Sequence, residues 1–451
     1  MAKTKLIPIS GFPEFLPKEQ ILFVKMLDII RDGYERYGFS PIETPAVERK
    51  EVLTSKGGNE KEIYALSRLA AGEGEEPNTE LALHFDLTVP LARYVAMHQN
   101  HIAFPFRRYQ IQKVWRGERT QAGRSREFYQ CDIDVIGRGS LSLLTDAEMP
   151  SIIYQIFSEM KIGPFVIKIN NRKILQGYFQ SFGIPAVQMN EAMRIIDKRE
   201  KIGTKAVVCE LINKTDLTQT TAQQMVDFLG EQLTTDDMLS KLNSMTQINE
   251  QFSEGVNELA VVVAGIRDFG VPDDFFKLDL SIARGLDYYT GTVYETVLVE
   301  QPDIGSICSG GRYDDLASFF TDEKLPGVGI SIGLTRLISR LIKAEILKLG
   351  ASTVAQVLVT SMDKNRARDY LRIGSTLRNA GIPTEVYFEE VRLSNQLKYA
   401  NKKGFKIAII AGENEFAENS VQIKNLVKGE SVVCPVTEMV QQVKDVLSTL
   451  L

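Results

Sequence analysis

Seven basic side chains crowd the stretch between Arg107 and Arg126: Arg107, Arg108, Lys113, Arg116, Arg119, Arg124 and Arg126, against one acid, Glu118. In a chain of net charge -5 this is a local concentration of cations. An arginine at a strand end can fork onto a phosphate or a carboxylate. The next segment, Phe128-Tyr-Gln130-Cys-Asp132-Ile-Asp134-Val-Ile136, puts Phe128, Gln130, Asp132 and Asp134 on one face of a strand. Two acids and an amide are poor core material unless paired, and they suit a pocket for a polar, positively charged ligand. Taken alone, a charged hairpin is more often a solvated surface, and the acids could pair with the facing arginines. Both readings stand at this point.

Two later clusters add to the set. Ala283-Arg284-Gly-Leu-Asp287-Tyr288-Tyr289-Thr-Gly291 combines a cation, an acid and two phenols at a strand-to-turn junction. Cys308-Ser-Gly310-Gly311-Arg312-Tyr313-Asp314 carries paired glycines, which let a backbone approach a ligand closely. Either could be merely a turn.

Other chemistries are excluded more easily. The only histidines are His84, His98 and His101, so imidazole chemistry must start there, and no companion cysteine or acid makes a metal site of them. No G-x-x-x-x-G-K-[ST] run exists, which removes the P-loop. Gly327-Val-Gly329-Ile-Ser-Ile-Gly333 has three residues before its last glycine, so its glycines read as close packing rather than dinucleotide binding. Cys131, Cys209, Cys308 and Cys434 lie far apart, which argues against a disulfide scaffold and for a reducing cytosol. No run approaches the ~18 apolar residues of a membrane helix, and no secretory signal is visible. Length (451 residues) predicts about three domains. The expectation is a soluble, cytoplasmic, multi-domain protein.

The elements that must position these residues can be read from periodicity. Lys18–Tyr37 predicts a helix, Ser40–Val47 an extended segment, and Leu81–Pro90 a short strand followed by a helix. Phe106–Val114 and Phe128–Ile136 predict an antiparallel hairpin with a long charged tip. Thr145–Met160 predicts a helix, provided that Pro150 falls in about its first turn. Phe165–Ile169 is a strand, after which residues 172–269 turn helical, polar and acidic, as an inserted module would. Strands return at Phe276–Ile282, Thr292–Val299 and Gly329–Ile332, followed by a helix over Leu334–Leu349. From Gln356 strands and helices alternate (Gln356–Thr360, Lys364–Ala380, Thr384–Phe388, Ser394–Lys403, Lys406–Ile410). At least one more strand lies in Asn425–Cys434 and a closing helix in Glu438–Leu450, which predicts a small parallel-type α/β domain.

The clusters, in this order, resemble the signature of class II aminoacyl-tRNA synthetases, and specifically of the histidyl-tRNA synthetase family. Thr44-Pro45 with Val47 resembles motif 1, whose proline sits at the family's dimer interface. Val114-Trp-Arg116-Gly-Glu118-Arg119 and the following strand resemble motif 2, and Gly327–Arg336 (GVGISIGLTR) resembles motif 3. Arg284-Gly-Leu-Asp287-Tyr288-Tyr289 and Ser309-Gly-Gly-Arg312-Tyr313-Asp314 resemble the two histidine-type peptides and are the most specific part of the match. The resemblance implies an α+β catalytic domain, with an antiparallel sheet flanked by helices. It also implies a helical insertion and a C-terminal α/β anticodon-binding domain. The expected boundaries are 1–171 and 270–349 for the catalytic core, 172–269 for the insertion and 350–451 for the last domain.

The resemblance also implies an activity: histidine and ATP form histidyl-adenylate and pyrophosphate, and the acyl group then passes to tRNA(His), releasing AMP. The attacking carboxylate is already an anion, so cation density and alignment matter more than a protein base. By the family pattern Arg116 and Arg284 are catalytic. Histidine meets Asp86, Leu87, Thr88, Arg116, Gln130, Asp134, Arg284, Tyr288 and Tyr289, with Asp134 and the two tyrosines at the imidazole. ATP meets Arg116, Glu118, Arg124 and Arg336, with Mg²⁺ on its phosphates, and no protein metal site is implied. Arg119 and Gln121 match positions that meet the tRNA acceptor end. A homodimer is implied as well. Phe85-Asp86-Leu87-Thr88 replaces the Arg-Pro-Glu-Gly-Thr run of many bacterial members and matches the archaeal and eukaryotic form.

The C-terminal residues from Ala351 hold 13 basic against 11 acidic side chains, a weak electrostatic footprint. Lys398, Lys402 and Lys403 are its best local RNA-binding candidates, with a solvated helix face as the alternative. The rival for the whole chain is the non-catalytic regulatory paralogue of ATP-phosphoribosyltransferase. That paralogue typically lacks both the arginine matching Arg284 and the C-terminal domain, and this chain has both.

Overall fold

The computed structural model describes residues 6–55, 60–68, 80–119, 123–215, 217–282, 288–314 and 316–450. The hairpin lies in an eight-stranded sheet made of β1 (Ser40–Pro41), β2 (Phe106–Trp115), β3 (Glu127–Ile136), β4 (Phe165–Asn171), β5 (Phe276–Leu278), β6 (Thr292–Leu298), β7 (Cys308–Tyr313) and β8 (Gly327–Gly333). Their order is β1-β2-β3-β8-β7-β6-β4-β5. Pairing is parallel at the two edges, β1 with β2 and β4 with β5, and antiparallel everywhere between. This is the expected α+β core.

Strand alternation gives the sheet two different faces. One is apolar: Cys131, Ile133 and Val135 of β3 stand beside Ile332, Ile330 and Val328 of β8, all fully buried. The helix Leu144–Met160 brings Ile152, Ile153, Ile156 and Phe157 into the same core. The other face is polar. In one row across the strands stand Gln110, Asp132, Ser331, Ser309 and Glu295, and in the next Arg108, Asp134, Gly329 and Gly311.

Three points that the sequence reading left open or misjudged have physical causes. Pro150 sits inside its helix rather than near its start. A proline there cannot donate to the carbonyl four residues back. That carbonyl, of Asp146, instead accepts the buried Tyr294 hydroxyl at 2.7 Å. Cys308–Tyr313 is a strand rather than a turn, because Gly310 and Gly311 let its neighbours close in. A side chain at Gly310 would strike the Gly329 carbonyl, and one at Gly311 would meet Thr292 and Tyr289. Finally, β5 ends at Leu278 because Asp279 turns the chain, accepting from the Ser281 amide (3.1 Å) and hydroxyl.

The span after β4 is helical as expected, from Arg172–Ser181 to Glu250–Asp268. Its first and last helices pack on each other through glycines, with Gly177 against Phe252 and Gly255 against Ile174. Lys173 bridges Glu254 and Glu258 there, at 2.7 and 2.6 Å.

Contacts divide the chain into two units, one taking in Met26–Leu347 and the other Lys348–Leu451 with Phe15–Lys25. The second holds a five-stranded sheet in the order Thr384–Val386, Val357–Val359, Ile407–Ile410, Ser420–Asn425, Ser431–Pro435. The first three strands are parallel, as the alternation predicts, and the last two are antiparallel. Its core joins Val357, Ile407 and Ile409 to Tyr370, Leu377 and Val443 from the flanking helices. Lys403 is tied to Glu385 (2.9 Å) and the Tyr399 hydroxyl (2.8 Å), while Lys398 and Lys402 are exposed.

Candidate functional site

The polar face of the sheet floors a cavity of about 440 Å³, a volume typical of small-molecule sites. Asp86, Thr88, Arg116, Glu118, Arg124, Gln130, Asp134, Tyr288, Tyr289 and Arg336 all line it. Residues from four separated stretches of sequence thus meet in one hollow. Leu87 is fully buried and does not line the cavity. Arg119 is exposed beyond the wall. Arg284 and Gln121 lie outside the described residues.

The acids sit deepest. Asp134 is buried, with Oδ1 accepting the Tyr313 hydroxyl at 2.7 Å and Oδ2 lying 2.5 Å from Arg108 Nη2. Burial raises its pKa to about 6, against the pull of Arg108 and of the Tyr313 hydrogen bond. Asp132 is raised to about 7 by burial, opposed by Arg108 and by a hydrogen bond from Ser331. Gln130 Nε2 donates to the Ser331 hydroxyl at 2.8 Å. Among the described residues its Oε1, like Asp132 Oδ1, has no donor. Buried acceptors without partners are costly unless a ligand brings donors, and an ammonium or a ring N–H is such a donor. Asp86 accepts the Val89 amide at 3.0 Å at the start of the helix Thr88–His98, which fixes its place on the wall.

The cations belong to the strand ends. The Arg116 guanidinium lies 4.3 Å from the Phe85 ring centre and 5.2 Å from that of Phe128, and its Nε donates to the Phe85 carbonyl at 3.1 Å. Two rings and one carbonyl thus aim a fork that cannot lose its charge. Arg124 pairs with Glu118 at 3.1 Å. Arg336, on the helix Leu334–Lys343, donates to the Ile304 carbonyl.

Some residues in the motifs hold the fold instead. Arg312 lies on the apolar face of β7 and clamps the buried Asp146 (Nε–Oδ1 3.0 Å) and the carbonyls of Leu141 and Ser142, so it fastens the helix Leu144–Met160 to the sheet. His84 is buried, its pKa lowered by burial, with Nε2 2.6 Å from the Lys113 carbonyl. Conversely, Ser331, Ser309, Glu295 and Tyr313 join the wall without having been assigned a role in it, and Asp132 joins it without having been given a ligand contact. Asp132 was recognisable from its place in the alternation of β3. Ser331 and Glu295 carry no local signal, because only strand pairing brings them there.

Comparison with known proteins points to one family. The family model for histidyl-tRNA synthetase matches residues 11–337, and that for an anticodon-binding domain matches residues 356–446. The chain is 49% identical to a histidine–tRNA ligase of Trichormus variabilis over 447 residues, 96% of each protein. It is 46% identical to one of Clostridium tetani over 448 residues, 99% of each. The crystal structure of histidyl-tRNA synthetase from Nostoc sp. PCC 7120 superposes with a TM-score of 0.89 at 48% identity, covering 98% of this chain and 100% of that one. A Bacillus halodurans structure described as an ATP phosphoribosyltransferase regulatory subunit/histidyl-tRNA synthetase shares the fold, with a TM-score of 0.71 at 18% identity over 88% of this chain and 97% of that one.

Proposed function

The chain belongs to the histidyl-tRNA synthetase family, and on that premise we propose how its cavity performs the reaction. The protein is a ligase that uses ATP to attach histidine to tRNA. The observation that carries the site reading is the division of one cavity into buried acids on the sheet floor and arginines at the strand ends. The acids suit the ammonium and imidazole of histidine, with Asp86, Thr88 and Gln130 at the ammonium and Asp134, Tyr288 and Tyr289 at the ring. Leu87, between Asp86 and Thr88, is assigned with them by the family pattern alone. The arginines suit the reacting anions.

In the first step a histidine carboxylate oxygen bonds to the α-phosphorus of ATP while the bond to the pyrophosphate oxygen breaks. Negative charge gathers on the phosphoryl oxygens, and Arg116 is the cation aimed there, with Arg284 as its proposed partner. Glu118 meets the adenine edge, and Arg124 and Arg336 hold the phosphates. In the second step a terminal tRNA hydroxyl takes the acyl group and AMP leaves. Among the described residues no group of three acids, histidines or cysteines is placed to hold a metal. Mg²⁺ is proposed as a companion of the nucleotide, where it would offset the phosphate charge.

Residues 1–171 and 270–349 are assigned to catalysis, 172–269 to an insertion and 350–451 to the anticodon. A homodimer is proposed through motif 1, whose Pro45 and Val47 are exposed. The free cysteines suit work in a reducing cytoplasm. The regulatory-paralogue reading is the less supported one, since the anticodon-binding family model matches residues 356–446.

ATP–pyrophosphate exchange, run without tRNA and with each amino acid in turn, is expected with histidine alone. Exchange with another amino acid would overturn the reading of Asp134. Arg119→Ala is expected to lower tRNA charging about tenfold while exchange is nearly unchanged, because Arg119 is exposed outside the cavity. An equal loss in both assays would remove it from the acceptor end.

A further inference from the structure

Arg108 heads the fold's largest fully buried side chains, at 0% exposure, and its ionic partner is Asp134. Among the described residues none of its three guanidinium nitrogens makes a hydrogen bond, and the contact of Nη2 with Asp134 is an ion pair alone. Stability does not account for such a residue: a guanidinium taken out of water with one acid beside it is unfavourable, and an apolar side chain would fill the position as well. Its placement has another logic. Strand register sets Arg108 directly opposite Asp134 on one side, and Gly329 on the other. Any side chain at Gly329 would collide with the Asp134 carboxylate. The Tyr313 hydroxyl holds the remaining oxygen at 2.7 Å. The carboxylate is therefore gripped at both oxygens, by a cation and by a hydroxyl, over a neighbour that leaves it room.

Resting on the assignment of Asp134 to the substrate ring, we propose that Arg108 is a positioning residue for amino-acid specificity. It holds Asp134 as a fixed, charged acceptor that a side chain lacking a ring N–H cannot satisfy. The groups that bear on Asp134 are Arg108 from β2, Tyr313 from β7, Asp132 on its own strand, Asp86 ahead of the helix Thr88–His98, and Tyr289. Burial and Asp86 push Asp134 toward its neutral form, and Arg108 is the largest opposing influence. Without the guanidinium, Asp134 takes up its proton at higher pH.

The test uses the full-length enzyme in pyrophosphate exchange, titrating histidine and ATP separately across pH. For Arg108→Met, KM for histidine at neutral pH is expected to rise about tenfold or more, with KM for ATP nearly unchanged. The acid limb of kcat/KM for histidine is expected to move up by about 1–3 pH units, so the deficit narrows at mildly alkaline pH. Arg108→Lys, which keeps the charge, is expected to restore most of the loss. An unchanged histidine KM, or a loss equal at every pH, overturns the role. If Arg108→Met loses its cooperative thermal transition, Tyr313→Phe tests the other half of the grip: the same histidine-selective, pH-dependent loss supports the proposal and a silent variant overturns it. Asp134→Asn, measured alongside, separates the two claims. If it spares histidine, the ring assignment falls; if it impairs histidine while Arg108→Met does not, only Arg108's role falls.

Discussion

Replacing Arg116 with alanine is expected to lower histidine-dependent pyrophosphate exchange by about 10²–10³-fold, the usual cost of removing one aimed donor from developing charge. The geometry makes the effect large. The guanidinium is flanked by the Phe85 and Phe128 rings and tethered through Nε to the Phe85 carbonyl, which leaves its Nη groups to meet an anion. Because the charge is oriented before substrate arrives, the loss should fall mainly on kcat. Arg116→Lys should rescue little, since an ammonium neither stacks between two rings nor forks. Exchange within about threefold of the parent would remove Arg116 from the reaction.

Asp134→Asn is expected to raise KM for histidine about 10²-fold and to lower kcat/KM about 10³-fold. The substitution keeps the shape of the side chain and removes the charge that a ring N–H would meet. It also strands Arg108, which is fully buried against it. Breaking one partner out of a buried pair costs about 3–5 kcal/mol of stability, so thermal melts belong with the kinetics. Asp134→Glu keeps the charge and serves as the folded control. Exchange kinetics with histidine and ATP titrated separately decide the point, and an unchanged histidine KM would exclude Asp134 from recognition.

Much of this site could be read from the residues, because a strand's period is short and local. Alternation alone put Gln130, Asp132 and Asp134 on one face of β3. The hairpin strands differ from expectation by one residue at most at each end. What could not be read depends on register. In the sequence Arg108 is one of seven similar cations, and only its pairing with Asp134 turns it inward rather than to solvent. The glycines of β7 carry no label that separates turn from close-packed strand, since the neighbouring strand that needs the room is not next to them in sequence. Pro150 was misjudged for the same reason, because the hydroxyl that satisfies the freed carbonyl comes from Tyr294. The last two strands of the C-terminal sheet run antiparallel where alternation of strand and helix predicted a parallel unit. The peptide around Arg284 lies outside the described residues, so its place in the site rests on resemblance alone.

The pairing of β3 with β8 also sets an order of events during synthesis. Residues 130–136 need residues 327–333 as their neighbour, and the whole helical span is made in between. At bacterial or eukaryotic elongation rates of about 5–20 residues per second, that interval lasts roughly 10–40 s. Throughout it the hairpin has one open edge, bearing the amides and carbonyls of an apolar strand, Cys131, Ile133 and Val135 among them. Such an edge is a template for pairing with another chain. The same strand alternates those residues with two carboxylates, Asp132 and Asp134, which in the open hairpin are still hydrated and charged. Two carboxylates on so short an edge disfavour stacking of identical nascent chains, by like-charge repulsion. The residues that floor the finished cavity are thus the ones that interrupt the apolar run along that edge.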